Sequence, residues 1–141
     1  MQSETLFKNL KKLSAPLARF SLFIVFFWFG TLKIFGESPA NPLVENLLSR
    51  TMPGITFENF IIFLGIWEMA IGVLFIIPKM EKLAIILLIP HMITTFMPLV
   101  FLTEITWQST FTPTLEGQYI IKNLVVIALA INLFISTKTK R

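Results

Sequence analysis

Four long apolar runs constrain the fold of this chain more than any other feature. They cover about residues 17–35, 57–77, 83–102 and 118–135. Each is close to the ~20 residues that an α-helix needs to cross roughly 30 Å of hydrocarbon. Because backbone groups in lipid must be hydrogen-bonded within their own segment, the runs are predicted to be helices. We therefore expect an all-α integral membrane protein, built as an antiparallel bundle of four transmembrane helices.

The composition agrees with a lipid environment. Hydrophobic residues make up 55% of the 141 residues and charged residues 14%, whereas an average soluble chain has roughly 25% charged residues. The absence of cysteine excludes disulfides and cysteine metal sites, and a single His disfavours a transition-metal site, so no metal is expected. The net charge of +4 is spread between the apolar runs. We therefore expect the lipid bilayer as a partner and no nucleic acid.

The basic residues predict the orientation of the runs. Nine of them lie before the first run or at its start, between the second and third runs, or after the fourth: Lys8, Lys11, Lys12, Arg19, Lys79, Lys82, Lys138, Lys140 and Arg141. Only Glu4 and Glu81 balance them there, while the other two connections are mainly acidic. Cytoplasmic segments of membrane proteins carry an excess of Lys and Arg. Both termini are therefore predicted to be cytoplasmic.

The chain divides into three segments on this basis. Residues 1–16 are predicted to be a basic amphipathic cytoplasmic segment, residues 17–136 the four-helix membrane domain, and residues 137–141 a basic cytoplasmic tail. Within the first outer loop, "NPLVENLLSR" has Asn41 as a candidate N-cap and Pro42 at the first helical position. Its apolar residues recur at helical spacing, which predicts a short helix on the outer membrane interface.

Glu68 is the most informative polar residue. It lies in the middle of the second run, where a carboxyl group costs at least a few kcal/mol unless it is paired or protonated. Gly65 and Gly72 share its helix face and predict close contact with another helix, so Glu68 is expected to point into the bundle. His91, at nearly the same depth in the third run, is its natural partner. Such a pair can relay protons or can simply fix helix packing.

Lysines near the outer ends of the first and last runs are a second polar feature. Lys33 and Lys122 lie on the side that the charge rule disfavours, and both can be explained by side chains that extend to the interface. Gly30 lies on the same helix face as Lys33, which favours an inward orientation towards Glu68 instead. The last run begins with several further polar residues: Glu116, Gln118, Tyr119 and Asn123. We predict that they form the outer wall of an intramembrane site with Glu68 and His91 as its floor.

Four segments carry a family resemblance. The stretches "FWFGTLKIFG", "LGIWEMAIGVLFIIP", "PHMITTFMPLVFL" and above all "PTLEGQYIIKNLVVIALAI" resemble the DoxX-like family (DoxX/DoxD-related) of small bacterial membrane proteins. The resemblance covers roughly residues 20 to 135. It implies four helices in a bacterial cytoplasmic (inner) membrane. It also implies one functional cluster without assigned steps: Lys33, Glu68, His91, Glu116, Gln118, Tyr119, Lys122 and Asn123.

Three functional hypotheses follow. The first is a redox-associated membrane subunit that binds a quinone or similar lipophilic molecule, with electrons from a partner oxidoreductase, because the chain has no intrinsic cofactor motif and no self-contained catalytic motif. The second is a non-catalytic scaffold or assembly factor, in which the polar cluster fixes helix packing. The third is a small-solute transporter, which would need a homo-oligomer because four helices are few and no inverted repeat is visible.

Overall fold

We describe residues 2–138 of a computed structural model of the chain, with the side chain of Gln2 left aside. The predicted basic tail, 137–141, lies largely outside the described residues. The elements are α1 (Gln2–Phe23), a π-helical turn (Ile24–Trp28), α2 (Phe29–Ile34), α3 (Asn41–Thr51), α4 (Phe57–Ile76), α5 (Glu81–Phe96), α6 (Pro98–Phe101), α7 (Thr103–Thr106), β1 (Trp107–Ser109), β2 (Thr112–Pro113) and α8 (Leu115–Lys138).

Four of the helical segments are long and apolar enough to cross a membrane, as predicted. They are Ser3–Ile34, Phe57–Ile76, Glu81–Phe101 and Leu115–Lys138. By the length and composition of its helices the chain is a multi-pass membrane protein. The last helix begins three residues before its predicted apolar run. The Thr114 hydroxyl accepts a hydrogen bond from the backbone N–H of Gly117 at 3.1 Å, which is an N-cap contact that starts α8 at Leu115.

The first helix is longer than predicted. Residues 1–16 were predicted to be a basic amphipathic segment before the first span, and the chain is helical without a break from Ser3 to Ile34, so that this segment continues directly into the span. Pro16 lies inside this helix. A proline removes the donor that would bond the carbonyl four residues earlier, at Lys12. Lys12 is exposed, so water can solvate that carbonyl and the helix continues.

A π-helical turn, Ile24–Trp28, keeps one face of the first helix buried from Ala18 to Gly30. The buried positions Ala18, Leu22, Phe26 and Gly30 are each four residues apart. In a regular α-helix of 3.6 residues per turn this spacing rotates by about 40° per step. The wider π turn absorbs that rotation. Leu22, Phe26 and Gly30 therefore all face the rest of the protein.

The long helices pack around one apolar core. The first helix contacts α4 and α8, and α5 also contacts α4 and α8. Residues from all four build the core: Leu22, Phe26, Ile71, Phe75, Leu88, Met92, Ala130 and Leu133. Lipid-facing positions on the same helices remain apolar and exposed, for example Ile66, Ile93 and Val125. This pattern is expected where the surrounding solvent is hydrocarbon.

The connections contain more structure than the sequence predicted. The predicted short helix in the first connection is present as α3, but Ala40 rather than Asn41 precedes it, and the Asn41 Oδ1 accepts no hydrogen bond within residues 2–138. The third connection, between α5 and α8, contains a two-stranded antiparallel sheet, β1 with β2, which the all-α expectation missed. Phe111 turns this hairpin with φ of 61°, and the Trp107 indole N–H donates to the Leu99 carbonyl at 3.0 Å.

Candidate functional site

A hydrogen-bonded triad of Lys33, Glu68 and His91 joins three helices in the interior of the protein. The Lys33 Nζ on α2 donates to Glu68 Oε2 on α4 at 2.7 Å. The other carboxylate oxygen, Oε1, lies 2.9 Å from His91 Nε2 on α5. Both carboxylate oxygens are therefore partnered, each by a different helix. We call these three residues the central triad.

The central triad is almost completely shielded from solvent. Lys33 and Glu68 are each 6% exposed and His91 is 5% exposed. Two aromatic rings meet the imidazole edge-on, Phe26 at 5.7 Å and Trp67 at 5.9 Å between ring centroids. Moving an ion pair out of water is costly, and the cost is offset only when close partners satisfy both ions. The direct Lys33–Glu68 contact and the second bond to His91 provide those partners.

Glycines allow the helices to come close enough for this contact. A Cβ on Gly30 would lie 2.5 Å from the Gly65 carbonyl oxygen, and a Cβ on Gly65 would lie 2.7 Å from the Gly30 carbonyl oxygen. Gly72 lies against the backbone of Phe27, where an added Cβ would be 2.8 Å from the amide nitrogen. The backbones of the first helix and α4 therefore touch at the positions predicted for helix packing. This approach brings the Lys33 ammonium to the Glu68 carboxylate.

The hydrogen-bonding pattern around His91 determines what the triad can do chemically. With Glu68 ionised and Lys33 charged, the imidazole donates from Nε2 and leaves Nδ1 as an acceptor 3.5 Å from the Thr95 hydroxyl. The hydroxyls of Thr94 and Thr95 donate to the His91 carbonyl at 2.7 and 2.9 Å. A neutral His91 leaves the triad with no net charge. Nδ1 can accept one proton, which the Glu68 carboxylate then stabilises.

The polar start of the last helix, predicted to form an outer wall of the site, does not join the central triad within residues 2–138. Glu116, Gln118 and Tyr119 are exposed, and none of the predicted α8 residues hydrogen-bonds to the triad within residues 2–138. The Lys122 Nζ lies 5.0 Å from the centre of the Tyr119 ring, and the Asn123 amide donates to the carbonyl of Tyr119. These are contacts within α8.

The packing of α8 explains this placement. Its contact face is made by Gly117, Ile120, Ala130 and Leu133, which are buried. A Cβ on Gly117 would collide with the carbonyl oxygen of Thr106 on α7. The neighbouring polar residues lie on other faces of the helix and therefore point away from the protein interior.

A second ion pair, with a buried carboxylate and a partly buried arginine, lies at the opposite end of the same helices and was missed by the sequence reasoning. Arg19 of α1 bonds to the Glu81 carboxylate at the start of α5, and its guanidinium also donates to the Phe75 carbonyl at 2.9 Å. The backbone N–H of Lys79 donates to Glu81 at 3.2 Å. We call Arg19 and Glu81 the inner ion pair. The sequence did contain a signal, because Arg19 lies within the first apolar run. It was used only to predict membrane orientation and not as a possible partner of a carboxylate.

A third ion pair lies outside the spans, between α3 and α7. Arg50 Nη2 is 2.7 Å from Glu104 Oε1, and both side chains are about half exposed. The pKa of Glu104 is lowered from its ordinary value, chiefly by its own backbone N–H and then by Arg50. Exposed pairs of this kind contribute little to stability.

A groove of about 460 Å³ lies between α5 and α8. Its lining is almost entirely apolar and includes Leu88, Met92, Phe96, Ile127 and Ala130. No residue of the central triad lines it. Within residues 2–138 no group of three His, Cys, Asp or Glu residues is placed to hold a metal ion.

Comparison with known proteins found no relative of this chain. No protein-family model matches the chain, and no curated protein or solved structure matches it. A function can therefore be proposed only from the geometry of the central triad and from the DoxX-like sequence resemblance.

Proposed function

We propose that this chain is a DoxX-like, redox-associated subunit of the bacterial inner membrane that exchanges protons with a quinone or similar lipophilic molecule through its central triad. The observation that carries the proposal is the placement of Glu68 between the Lys33 ammonium and the His91 imidazole, deep among apolar helices. Ionisable residues at such a depth are costly and commonly serve a proton or substrate path. The resemblance of the surrounding segments to DoxX-like proteins supports the same reading.

The proposal includes an antiparallel four-helix bundle with both termini in the cytoplasm and α3 on the outer interface. Consecutive long helices that pack against each other across a short connection, as α4 and α5 do, support the antiparallel arrangement. The basic connection at Lys79 and Lys82 supports the orientation. In this arrangement Glu68 and His91 lie near mid-membrane depth, the Lys33 side chain reaches Glu68 from the outer end of the first helix, and the inner ion pair lies at the cytoplasmic boundary.

The chemistry of quinone reduction matches the groups of the triad. A quinone becomes a quinol by taking up two electrons and two protons at its two carbonyl oxygens. A protonated His91 can deliver one proton from its ring, with Glu68 stabilising the imidazolium, and it must take up a second proton from the aqueous side before it delivers the other. The proposal takes both electrons from a partner oxidoreductase, because the sequence has no recognisable cofactor motif. The triad's part is to hold and pass protons where bulk water is excluded.

An aromatic column on α4 provides a route from the bilayer to His91. Phe60, Phe63 and Trp67 follow one another along the helix, with ring centroids 6.4 and 5.5 Å apart. Phe63 is 55% exposed, while Trp67 is half-buried and covers the imidazole. The Trp67 indole N–H donates to the Leu87 carbonyl at 3.2 Å, which closes the space between α4 and α5. A flat ring can stack along this column and reach the triad when Trp67 moves.

Fluorescence of Trp67 tests the proposal, because quinones quench tryptophan at short range. The chain has three tryptophans, so the double variant Trp28→Phe/Trp107→Phe leaves Trp67 as the sole emitter. The matched control, Trp28→Phe/Trp67→Phe, leaves only Trp107, which lies in the connection between α5 and α8. Decylubiquinone is titrated into each purified protein in detergent micelles.

We expect saturable quenching of Trp67 and only linear, collisional quenching of Trp107. His91→Ala should weaken the saturable component, since it removes the group beside which the ring would lie. Equal, non-saturating quenching in both single-tryptophan proteins would refute quinone binding at the triad.

A scaffold or assembly factor is the second candidate, and one observation favours it. Both oxygens of Glu68 are already partnered, so the central triad ties α2, α4 and α5 together without any ligand. Glu68→Gln separates the two functions. A variant that folds and assembles normally but loses proton-coupled quinone reduction with its partner supports the redox role. A variant that loses only assembly supports the scaffold.

A further inference from the structure

The outward face of α1 carries a heptad pattern that nothing within residues 2–138 covers. Its apolar positions are spaced 4, 3, 4 and 3 residues apart: Leu6, Leu10, Leu13, Leu17 and Phe20. Each of them is between 55% and 61% exposed. Alternating steps of four and three place residues along one seam that winds slowly around the helix. We call these five residues the α1 seam.

The charges of α1 avoid this seam. With Leu10 and Leu17 at heptad position a, the other three seam residues occupy position d. The lysines then lie away from the seam, with Lys8 at position f, Lys11 at b and Lys12 at c. Further along the helix the same face is buried, with Ala18 at position b and Leu22 at f. The flanking e and g positions are uncharged: Phe7, Asn9, Ser14 and Pro16. A helix that meets this seam therefore encounters apolar side chains without like-charge repulsion.

The length of the first helix places part of the seam outside the hydrocarbon. The continuous helix Ser3–Ile34 has 32 residues, which at 1.5 Å per residue is about 48 Å long. The hydrocarbon core is roughly 30 Å thick, so the first turns extend well beyond it. Lipid can cover Leu17 and Phe20. Leu6, Leu10 and Leu13 lie on the extension, where a large apolar stripe in water is unfavourable.

We infer that a second copy of this chain covers the α1 seam, forming a parallel two-stranded coiled coil that continues from the membrane into the aqueous phase. All copies inserted with one topology have their first helices parallel, so two identical seams can meet about a two-fold axis along the membrane normal. A strict heptad seam is self-complementary in this arrangement. The dimer leaves the central triad on the opposite side of the first helix, and this inference does not depend on the function proposed for that site.

Disulfide cross-linking tests the dimer directly, because the chain has no cysteine of its own. Single variants Leu10→Cys and Leu13→Cys place a thiol in the seam. Lys11→Cys and Lys12→Cys place one at adjacent positions that are also exposed but lie on the opposite face. Each full-length protein is oxidised with copper phenanthroline in native membranes, and the disulfide-linked dimer is measured on non-reducing gels. Maleimide labelling checks that all four thiols are accessible before oxidation.

We expect several times more dimer from the two seam variants than from the two lysine variants. Equal dimer from all four variants would mean random collision, and no dimer from accessible seam thiols would mean no pairing; either result overturns the inference. A disulfide to a chain of different mass would overturn the homodimer and show that a different protein covers the α1 seam. Strong quenching of a bimane on residue 10 by headgroup-brominated lipids, without dimer, would assign the stripe to the bilayer.

Discussion

The central triad and the inner ion pair use the same kind of connection and differ in the chemistry of the partner. In each, a carboxylate of the α4–α5 hairpin bonds to a cation of the first helix, and the carboxylate is buried. Glu81 is bonded by Arg19, which stays charged at any accessible pH, and by a backbone N–H. Glu68 is bonded by Lys33 and by His91, whose imidazole can gain or lose a proton.

This difference separates a fixed connection from a titratable one. At the inner ion pair, no partner can release a proton under ordinary conditions, so the contact can only hold helices together. Arg19 also bonds to the carbonyls of Phe75 and Ile77 at the end of α4, where the helix dipole favours a cation. At the central triad the same holding role is present, and a proton can be added. Variants of the two sites should therefore differ in their effects on proton transfer as well as on stability.

The largest effect is expected at Glu68. Glu68→Leu leaves the Lys33 ammonium buried without its carboxylate, which should lower the free energy of unfolding by about 3–5 kcal/mol. The double variant Lys33→Met/Glu68→Leu removes both charges and should recover a large part of that loss. Unfolding by SDS in mixed micelles measures both variants. If the double variant is no more stable than the single variant, the unpaired lysine is not the cause.

A smaller effect is expected at the glycine contact that supports the central triad. Gly65→Ala places a methyl group against the Gly30 carbonyl and the Ile34 side chain, and should cost about 1–3 kcal/mol through overpacking. Gly54→Ala is the matched control, because no atom lies within 4 Å of its added Cβ. The same SDS unfolding measurement should show no loss for this control. Equal stability of the two variants would contradict the close backbone contact.

The inner ion pair should respond less than the central triad to loss of its negative charge. Glu81→Gln keeps an oxygen acceptor for Arg19 and removes only the charge assistance, so about 1 kcal/mol of stability should be lost. If the protein has the proposed redox role, Glu81→Gln should leave quinone reduction with a partner oxidoreductase unchanged, whereas Glu68→Gln should abolish it. Loss of that activity in Glu81→Gln, with normal folding, would break the distinction between the two sites.

The smallest effect is expected at Arg50 and Glu104, outside the spans. The pKa of Glu104 is lowered from 4.5. Its contribution to stability is therefore present above pH 4.5 and disappears as the pH falls through the lowered pKa. Glu104→Gln should flatten the acid side of the stability profile slightly, and added salt should reduce the difference. Glu45→Gln is the control, since Glu45 forms no ion pair within residues 2–138.

Sequence reasoning was most successful where a residue's environment follows from its depth in an apolar run. Glu68 and His91 are equally deep, and the glycines near Glu68 marked the face on which a neighbour approaches. It did not anticipate the start of α8, where Glu116 and Tyr119 are exposed and do not contact the central triad. The rotation of α8 depends on the contact of Gly117 with Thr106, which lies in a connection whose structure the sequence did not predict.

The sequence by itself determined how many helices within residues 2–138 are long and apolar enough to cross a membrane, their approximate limits and the position of each ionisable group along them. These properties depend on chain length and transfer free energy, which are local and additive along the chain. The tertiary structure decided which of these groups meet. The π turn determines which side of the first helix faces the protein, and the contact of Gly30 with Gly65 determines its distance from α4. The resulting packing placed Lys33 with Glu68 and Arg19 with Glu81, because side-chain contacts between helices depend on rotation and separation that no single segment specifies.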